Sequence, residues 1–248
     1  MMKSKRNQCI AAIILVILPS LVIISESAVY QFVHAGKDYA QLVVDVCIFL
    51  IALLLNKYFF KVKVYPFNNR RPIYQLLNAI PLIILLIFTG KISPLGMPKN
   101  FVLAMISVVM VGIAEEYVFR GLLLPILYKL FNNKAFLAIV ISSLGFGVMH
   151  FINLLNHFPF YLIFAQVLLA AGSGMLYAAL YFKTHNLVLP ITLHVINDLT
   201  TFFPRKVGGN GGTLPASDIP RMLILLVAIF LVCGLIAWIQ TRKAKIKF

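Results

Sequence analysis

The chain has 248 residues, 61% of them hydrophobic and 12% charged, with a formal net charge of +15 and a mean hydropathy of +0.96. A soluble domain of this size would carry roughly twice that charged fraction, so a soluble globular fold is excluded. The basic surplus alone would suit a nucleic-acid binder, but it is spread through short segments between apolar stretches, which is an orientation pattern rather than a nucleic-acid surface.

Apolar stretches approaching the roughly 20 residues of a spanning helix recur at about 8–25, 39–56, 73–90, 101–126, 135–153, 158–182, 186–203 and 221–239. They predict an all-α, polytopic membrane helix bundle of about eight transmembrane helices, read as a single membrane domain over 1–248. No alternating pattern of a barrel is present. The first stretch follows Lys3, Lys5 and Arg6 and is expected to stay as an uncleaved helix, since the region around Ser25, Ser27 and Ala28 fits a cleavage site only loosely. With a cytoplasmic N-terminus, fifteen Lys and Arg fall in cytoplasmic segments against six in outer ones, with Arg120 left inside the membrane. Both termini are therefore expected in the cytoplasm, and membrane lipids with anionic headgroups are expected partners, with no nucleic acid.

Along the chain, Asp45 is an intramembrane acid expected to be a satisfied structural carboxylate. The basic, aromatic loop 57–72 suits a cytoplasmic interface. In the fourth stretch, Glu116 and Arg120 are four apart and share a helix face, whereas Glu115 is turned about 100° from Glu116. Arg120 can neutralise Glu116 and leave Glu115 as the carboxylate facing a cavity, a general-base candidate; a purely structural ion network is the competing reading. His150 closes the next stretch, with Phe146 one turn before it. Ala170, Ala171, Gly172, Ser173 and Gly174 form a small-residue cluster suited to close helix approach. His194 and Asp198 are four apart, a spacing that lets two groups converge on one point; Asn197 is expected to face elsewhere. Segment 204–220 is rich in Gly and Pro and reads as a connector or lid. Cys9, Cys47 and Cys233 lie in separate stretches without metal or disulfide spacing and read as small buried hydrophobes. His34, His157 and His185 fall in or near predicted loops, where solvated histidines are ordinary.

Charged groups inside apolar segments cost roughly 2.5–3.5 kcal/mol each at a helix centre on translocon scales, so they usually face one another or a wet cavity. Glu115, His150, His194 and Asp198, drawn from three spans, make a set able to activate water.

In order, E115-E116-Y-V-F-R120, F146-x-x-x-H150 and H194-x-x-x-D198 resemble the three motifs of the CPBP intramembrane proteases, which include type II CAAX prenyl endopeptidases and bacterial Abi proteins. The stretch from Gly172 through Tyr181, Thr184, Asn186 and Leu187 resembles the connection between the second and third motifs. The likeness spans about 101–203, taken as the catalytic core. It implies peptide-bond hydrolysis in or beside the membrane. By position, Glu115 matches the glutamate that activates water, His150 its histidine partner, Glu116 and Arg120 the supporting pair, and His194 and Asp198 the pair near the substrate carbonyl.

The third motif often ends in Asn, and the Asp198 carboxylate, when ionised, accepts but cannot donate. Three readings follow: a protonated Asp198, an Asp198 that orients His194, or a divalent metal such as zinc held by Glu115, His150, His194 and Asp198. No cofactor is otherwise implied. The expected function is an intramembrane endopeptidase acting on a membrane-embedded or membrane-associated peptide or protein; a non-catalytic scaffold or bacteriocin self-immunity protein using the same cavity is the alternative. Transport ranks below both, since broken half-helices and inverted repeats are not evident. The lysine- and isoleucine-rich composition suits a bacterial cytoplasmic membrane.

Overall fold

The structure is a computed structural model that describes residues 4–24, 37–92, 95–203 and 215–244. The candidate cleavage region, His34 and the glycine run of the 204–220 segment lie outside these residues. Helix α1 (Lys5–Ile24) is followed by α2 (Lys37–Leu55), which ends in a π-helical turn (Asn56–Phe60), and by α3 (Pro72–Phe88). Helix α4 (Phe101–Glu116) passes through a π-helical segment (Tyr117–Leu123) into α5 (Leu124–Leu130) without a break. Helix α6 (Ala135–Met149) tightens into a 3₁₀ segment (His150–Asn156), and α7 (Phe160–Thr184), α8 (Val188–Phe202) and α9 (Ile219–Thr241) complete the chain.

Each of the eight predicted stretches is thus a helical rod, and the described residues contain no β-strand. Six rods are long and apolar enough to cross a membrane, the exceptions being those of α3 and α8. Helix α8 has 15 residues, a length of about 22 Å that falls short of a hydrocarbon core of about 30 Å. It also carries His194, Asn197 and Asp198, so its inner surface is polar where a lipid-facing span would be apolar.

Helix α7 is the axis of the bundle. From Ala171 to Phe182 every residue is buried, and the helix packs chiefly on α6 and α9 and also on α3 and α8. Small residues set these approaches, as the sequence predicts. A Cβ on Gly147 of α6 would stand 2.8 Å from the Val167 carbonyl oxygen and 2.9 Å from the Ala171 Cβ. On the opposite face, a Cβ on Gly172 would meet the Phe230 backbone at 3.5 Å and the Cys233 sulfur at 3.7 Å. In lipid, where burial of apolar surface gains little between helices, such close packing supplies the association energy.

The 57–71 segment is ordered against the helix ends. Asn56 closes its turn by donating to the Val62 carbonyl at 3.0 Å and accepting from the Val62 N–H at 2.8 Å. The Tyr65 N–H donates to the Tyr181 hydroxyl at 3.0 Å, the Tyr65 carbonyl accepts from the Leu187 N–H at 3.0 Å, and Asn68 donates to the Thr184 carbonyl at 2.7 Å. Asn186 donates to Gln75 at 2.8 Å and to the Asn68 carbonyl at 3.1 Å. This strap fixes the α7–α8 turn, and with it the depth at which α8 presents His194.

Two expectations are corrected here. Cys9 and Cys47 are exposed on the outside of the bundle, and only Cys233 is buried; a thiol is apolar enough to face hydrocarbon. His185 is not a solvated loop residue, because its ring packs edge-on against Tyr65 with centroids 4.7 Å apart. His157 is exposed and closes the 3₁₀ segment in a left-handed conformation (φ 59°).

Candidate active site

Glu115 and Glu116 are the last two residues of α4 before its hydrogen bonding shifts to the π pattern. A π insertion is rare and often marks a functional position. Here Glu116 and Arg120 still meet: the Arg120 Nη1 donates to the Glu116 Oε1 at 2.8 Å, with both side chains at most 1% exposed. The rest of the guanidinium is also accommodated. Nη2 points to the Gly174 carbonyl at 3.4 Å, and the guanidinium carbon lies 4.4 Å from the Phe146 ring centroid and 5.2 Å from that of Tyr177. Gly174 makes room for it, since a Cβ there would stand 3.1 Å from Nη2. The pairing of Glu116 with Arg120 is as the spacing predicts, and Gly174 belongs to this pocket as well as to helix packing.

His194 projects from α8 onto the same cluster. Its Nδ1 is 2.8 Å from the Glu116 Oε1, and its Nε2 lies 3.4 Å from the Glu115 Oε2 and 3.3 Å from the Asp198 Oδ2. Both ring nitrogens face carboxylate oxygens, and only an imidazolium can donate on both sides. Glu115 lines the cavity, with His194 standing between it and Glu116. The other Asp198 oxygen, Oδ1, accepts from the Asn197 Nδ2 at 2.8 Å. That corrects the placement of Asn197: it lines the same cavity as Asp198. His194, Asn197, Asp198 and Thr201 of α8 all line this cavity.

His150 occupies the point where α6 tightens to 3₁₀. Its Nδ1 lies 2.9 Å from the Phe146 carbonyl oxygen. When Nδ1 carries the proton it donates there, which leaves Nε2 as the acceptor. The Phe146 ring stands between the two histidines, 5.2 Å from His150 and 5.7 Å from His194 by centroids. Tyr177 stacks on His194 at 5.2 Å with an interplanar angle of 16°. Tyr177 was not singled out from the sequence; an aromatic within a small-residue helix, three residues after Gly174, is the signal that could have found it.

Glu115, His150, His194, Asn197 and Asp198 all line one cavity of about 1260 Å³. Its floor is closed by Phe146 and Tyr177, and its opposite end reaches Thr89, Asn153, Phe158 and Gln166. Asp45 is buried beside it, with Gln41 donating to its Oδ2 at 3.0 Å, in keeping with a structural carboxylate.

The metal set suggested by the sequence is not assembled as a ligand cage. Among the described residues no group of three or more His, Cys, Asp or Glu side chains is arranged to hold a metal ion. Each histidine commits its Nδ1 to a protein partner, His150 to the Phe146 carbonyl and His194 to Glu116.

Comparison with curated proteins and with solved structures gives no match. Residues 97–200 match the family described as type II CAAX prenyl endopeptidase Rce1-like. That stretch contains both glutamates, Arg120, both site histidines and Asp198, in the order the motifs require. The all-helical membrane fold, the ordered motifs and this match agree, and over residues 97–200 the chain is similar to the Rce1-like type II CAAX prenyl endopeptidases.

Proposed function

We propose that the chain is an intramembrane endopeptidase of the bacterial cytoplasmic membrane that hydrolyses a peptide bond of a membrane-embedded or membrane-associated substrate with a water activated by Glu115 and His150. The family supports a CAAX-type intramembrane protease role in general. The observation that carries the finer reading is the convergence of Glu115, His150, His194 and Asp198 on the buried end of one cavity.

In this reading Glu115 is the general base. A water between Glu115 and the His150 Nε2 gives its proton to the Glu115 carboxylate as its oxygen attacks the scissile carbonyl carbon. The carbonyl π electrons move onto oxygen, and the His194 Nε2–H, held by Glu116 at the far nitrogen, donates to that oxyanion. Before substrate binds, the Asp198 Oδ2, 3.3 Å from the same Nε2, accepts that N–H and keeps the ring in plane, and it yields the hydrogen to the oxyanion as charge forms there. As the tetrahedral intermediate collapses, the C–N bond breaks and the proton on Glu115 passes to the leaving amine. Arg120 touches no reacting atom; it is a positioning residue that holds Glu116 in place.

The decisive experiment compares new peptide termini in membrane and secreted fractions of cells carrying the wild type or Glu115→Gln at equal abundance. Termini present only with the wild type support proteolysis and identify the substrate. A biological effect retained in full by Glu115→Gln, with no difference in termini, would overturn this reading in favour of a binding or immunity role.

A further inference from the structure

We infer that the site cavity opens on the extracytoplasmic face of the membrane, so that the bond cut lies in a substrate segment exposed at or emerging from the outer leaflet. This deepens the proteolytic reading and rests on it. The cavity lining shows which end is open. Besides the buried site residues it includes Ile24 at the end of α1, Gln41 near the start of α2, Thr89 just after α3, Leu162 near the start of α7 and Thr201 near the end of α8. All of these helix ends belong to the same face of an up-and-down bundle. At that face Ile24, Leu155 and Phe158 are exposed, whereas Tyr177 and His194 at the other end are buried. The opening is therefore at the α1-end, α2-start face and not at the face carrying the 57–71 strap.

Charge then assigns the two faces. The described segments at the closed face hold twelve Lys and Arg, including Lys61, Arg70, Lys134 and Lys183, and no Asp or Glu. The described segments at the open face hold four Lys and Arg (Lys37, Lys91, Lys99 and Arg221) together with Asp38 and Asp218. Lys and Arg in short loops are retained on the cytoplasmic side, and loops this short are those the rule governs. The closed, strapped face is cytoplasmic and the open one is not. The mouth chemistry matches a peptide more than a soluble polar ligand. Leu155, Phe158 and Leu162 offer apolar contacts, and Asn153, which donates to Gln166 at 2.9 Å, adds an amide edge able to bond a peptide backbone.

The test uses single cysteines in a Cys9→Ser, Cys47→Ser, Cys233→Ala background, at Phe158→Cys on the open face and Lys134→Cys on the strapped face. A membrane-impermeant maleimide is applied to intact cells and to permeabilised ones. The expected result is labelling of Phe158→Cys in intact cells and of Lys134→Cys only after permeabilisation. The reverse pattern, or labelling of both in intact cells as dual insertion gives, overturns the inference. The termini that depend on Glu115 are expected on extracytoplasmic segments; cytoplasmic termini overturn the substrate assignment. Outward labelling without any Glu115-dependent termini sinks the proteolytic reading and the substrate assignment together, while the orientation stands, so the two failures are distinguishable.

Discussion

The His194 Nδ1 lies 2.8 Å from the Glu116 Oε1 although 78 positions separate the two residues in the chain. The same oxygen accepts from the Arg120 Nη1 at 2.8 Å. One buried carboxylate oxygen thus fixes both a guanidinium and an imidazole, and it determines which nitrogen of His194 faces the cavity. Removing one charge of a buried pair leaves the other uncompensated, at a cost of about 3–5 kcal/mol. Arg120→Ala is expected to lower the yield of folded protein and its thermal midpoint in detergent. Adding Glu116→Gln to Arg120→Ala should recover part of that loss, because the stranded charge is gone. A double variant no more stable than Arg120→Ala would show that the pair is not the source of the effect.

Glu115 carries a different expectation. It is not part of the Arg120 pair, and its side chain retains some exposure to the cavity (14%). Glu115→Gln preserves shape and removes the base, so turnover should fall by about 10²–10⁴-fold, the usual worth of general-base catalysis. The thermal midpoint should stay near that of the wild type. His150→Ala should act in the same direction, since its ring is held by the Phe146 carbonyl and ring and takes no part in the Glu116–Arg120 pair. Turnover at the wild-type rate in Glu115→Gln would remove the residue from the mechanism.

Asp198 uses both oxygens as acceptors, one towards His194 at 3.3 Å and one towards Asn197 at 2.8 Å. This geometry favours an orienting role over direct donation to an oxyanion. Asp198→Asn keeps the shape but can rotate to place its NH₂ against His194, where it cannot accept. The expected cost is the loss of a hydrogen bond to a charged group, about 1.5–3 kcal/mol, or roughly a tenfold or greater drop in kcat with little change in KM. Equal or higher activity in Asp198→Asn would instead mean that a donor is wanted at this position.

Much of this arrangement was legible in the sequence, for physical reasons that differ by residue. The eight rods were readable because a membrane helix must satisfy its backbone internally and stay apolar over a fixed length. The Glu116–Arg120 pair was readable because four residues make one helical turn. The contact between His194 and Glu116 was not, because it depends on how deep α8 sits, and that depth is set by Tyr65, Asn68 and Asn186 in a strap that looks only basic and aromatic in sequence. Asn197 was misplaced for a related reason: ideal periodicity turns it about 100° from Asp198, yet a side-chain amide is long enough to reach back to its neighbour. Tyr177 was invisible because a tyrosine in an apolar helix carries no signal until its ring partners are known.

Chelation provides an independent check on the water-activating chemistry. Among the described residues no three His, Cys, Asp or Glu side chains are grouped as a metal cage. Purified protein treated with a divalent chelator and then desalted is expected to retain its cleavage activity. Loss of activity, with recovery on adding zinc alone, would replace the Glu115–His150 water with a metal-bound one.

Tyr177 is the residue whose importance the structure adds. Its ring is stacked on His194, lies 5.2 Å from the Arg120 guanidinium carbon, and carries a hydroxyl that donates to the Leu193 carbonyl at 3.4 Å. The ring and not the hydroxyl makes the close contacts, since 3.4 Å is a long bond for an O–H donor. Tyr177→Phe should therefore keep both stability and turnover. Tyr177→Leu removes a flat face from two charged groups at once; a desolvated cation–π contact is worth about 2 kcal/mol. It should lower the thermal midpoint and, by freeing the His194 ring, reduce kcat by roughly tenfold or more for each 1.4 kcal/mol of lost positioning. KM should change little, because the ring lies beneath His194 and not in the mouth of the cavity. A Tyr177→Leu protein that loses only stability, with kcat intact for the folded fraction, would show that the stack supports the bundle and does not position the imidazole.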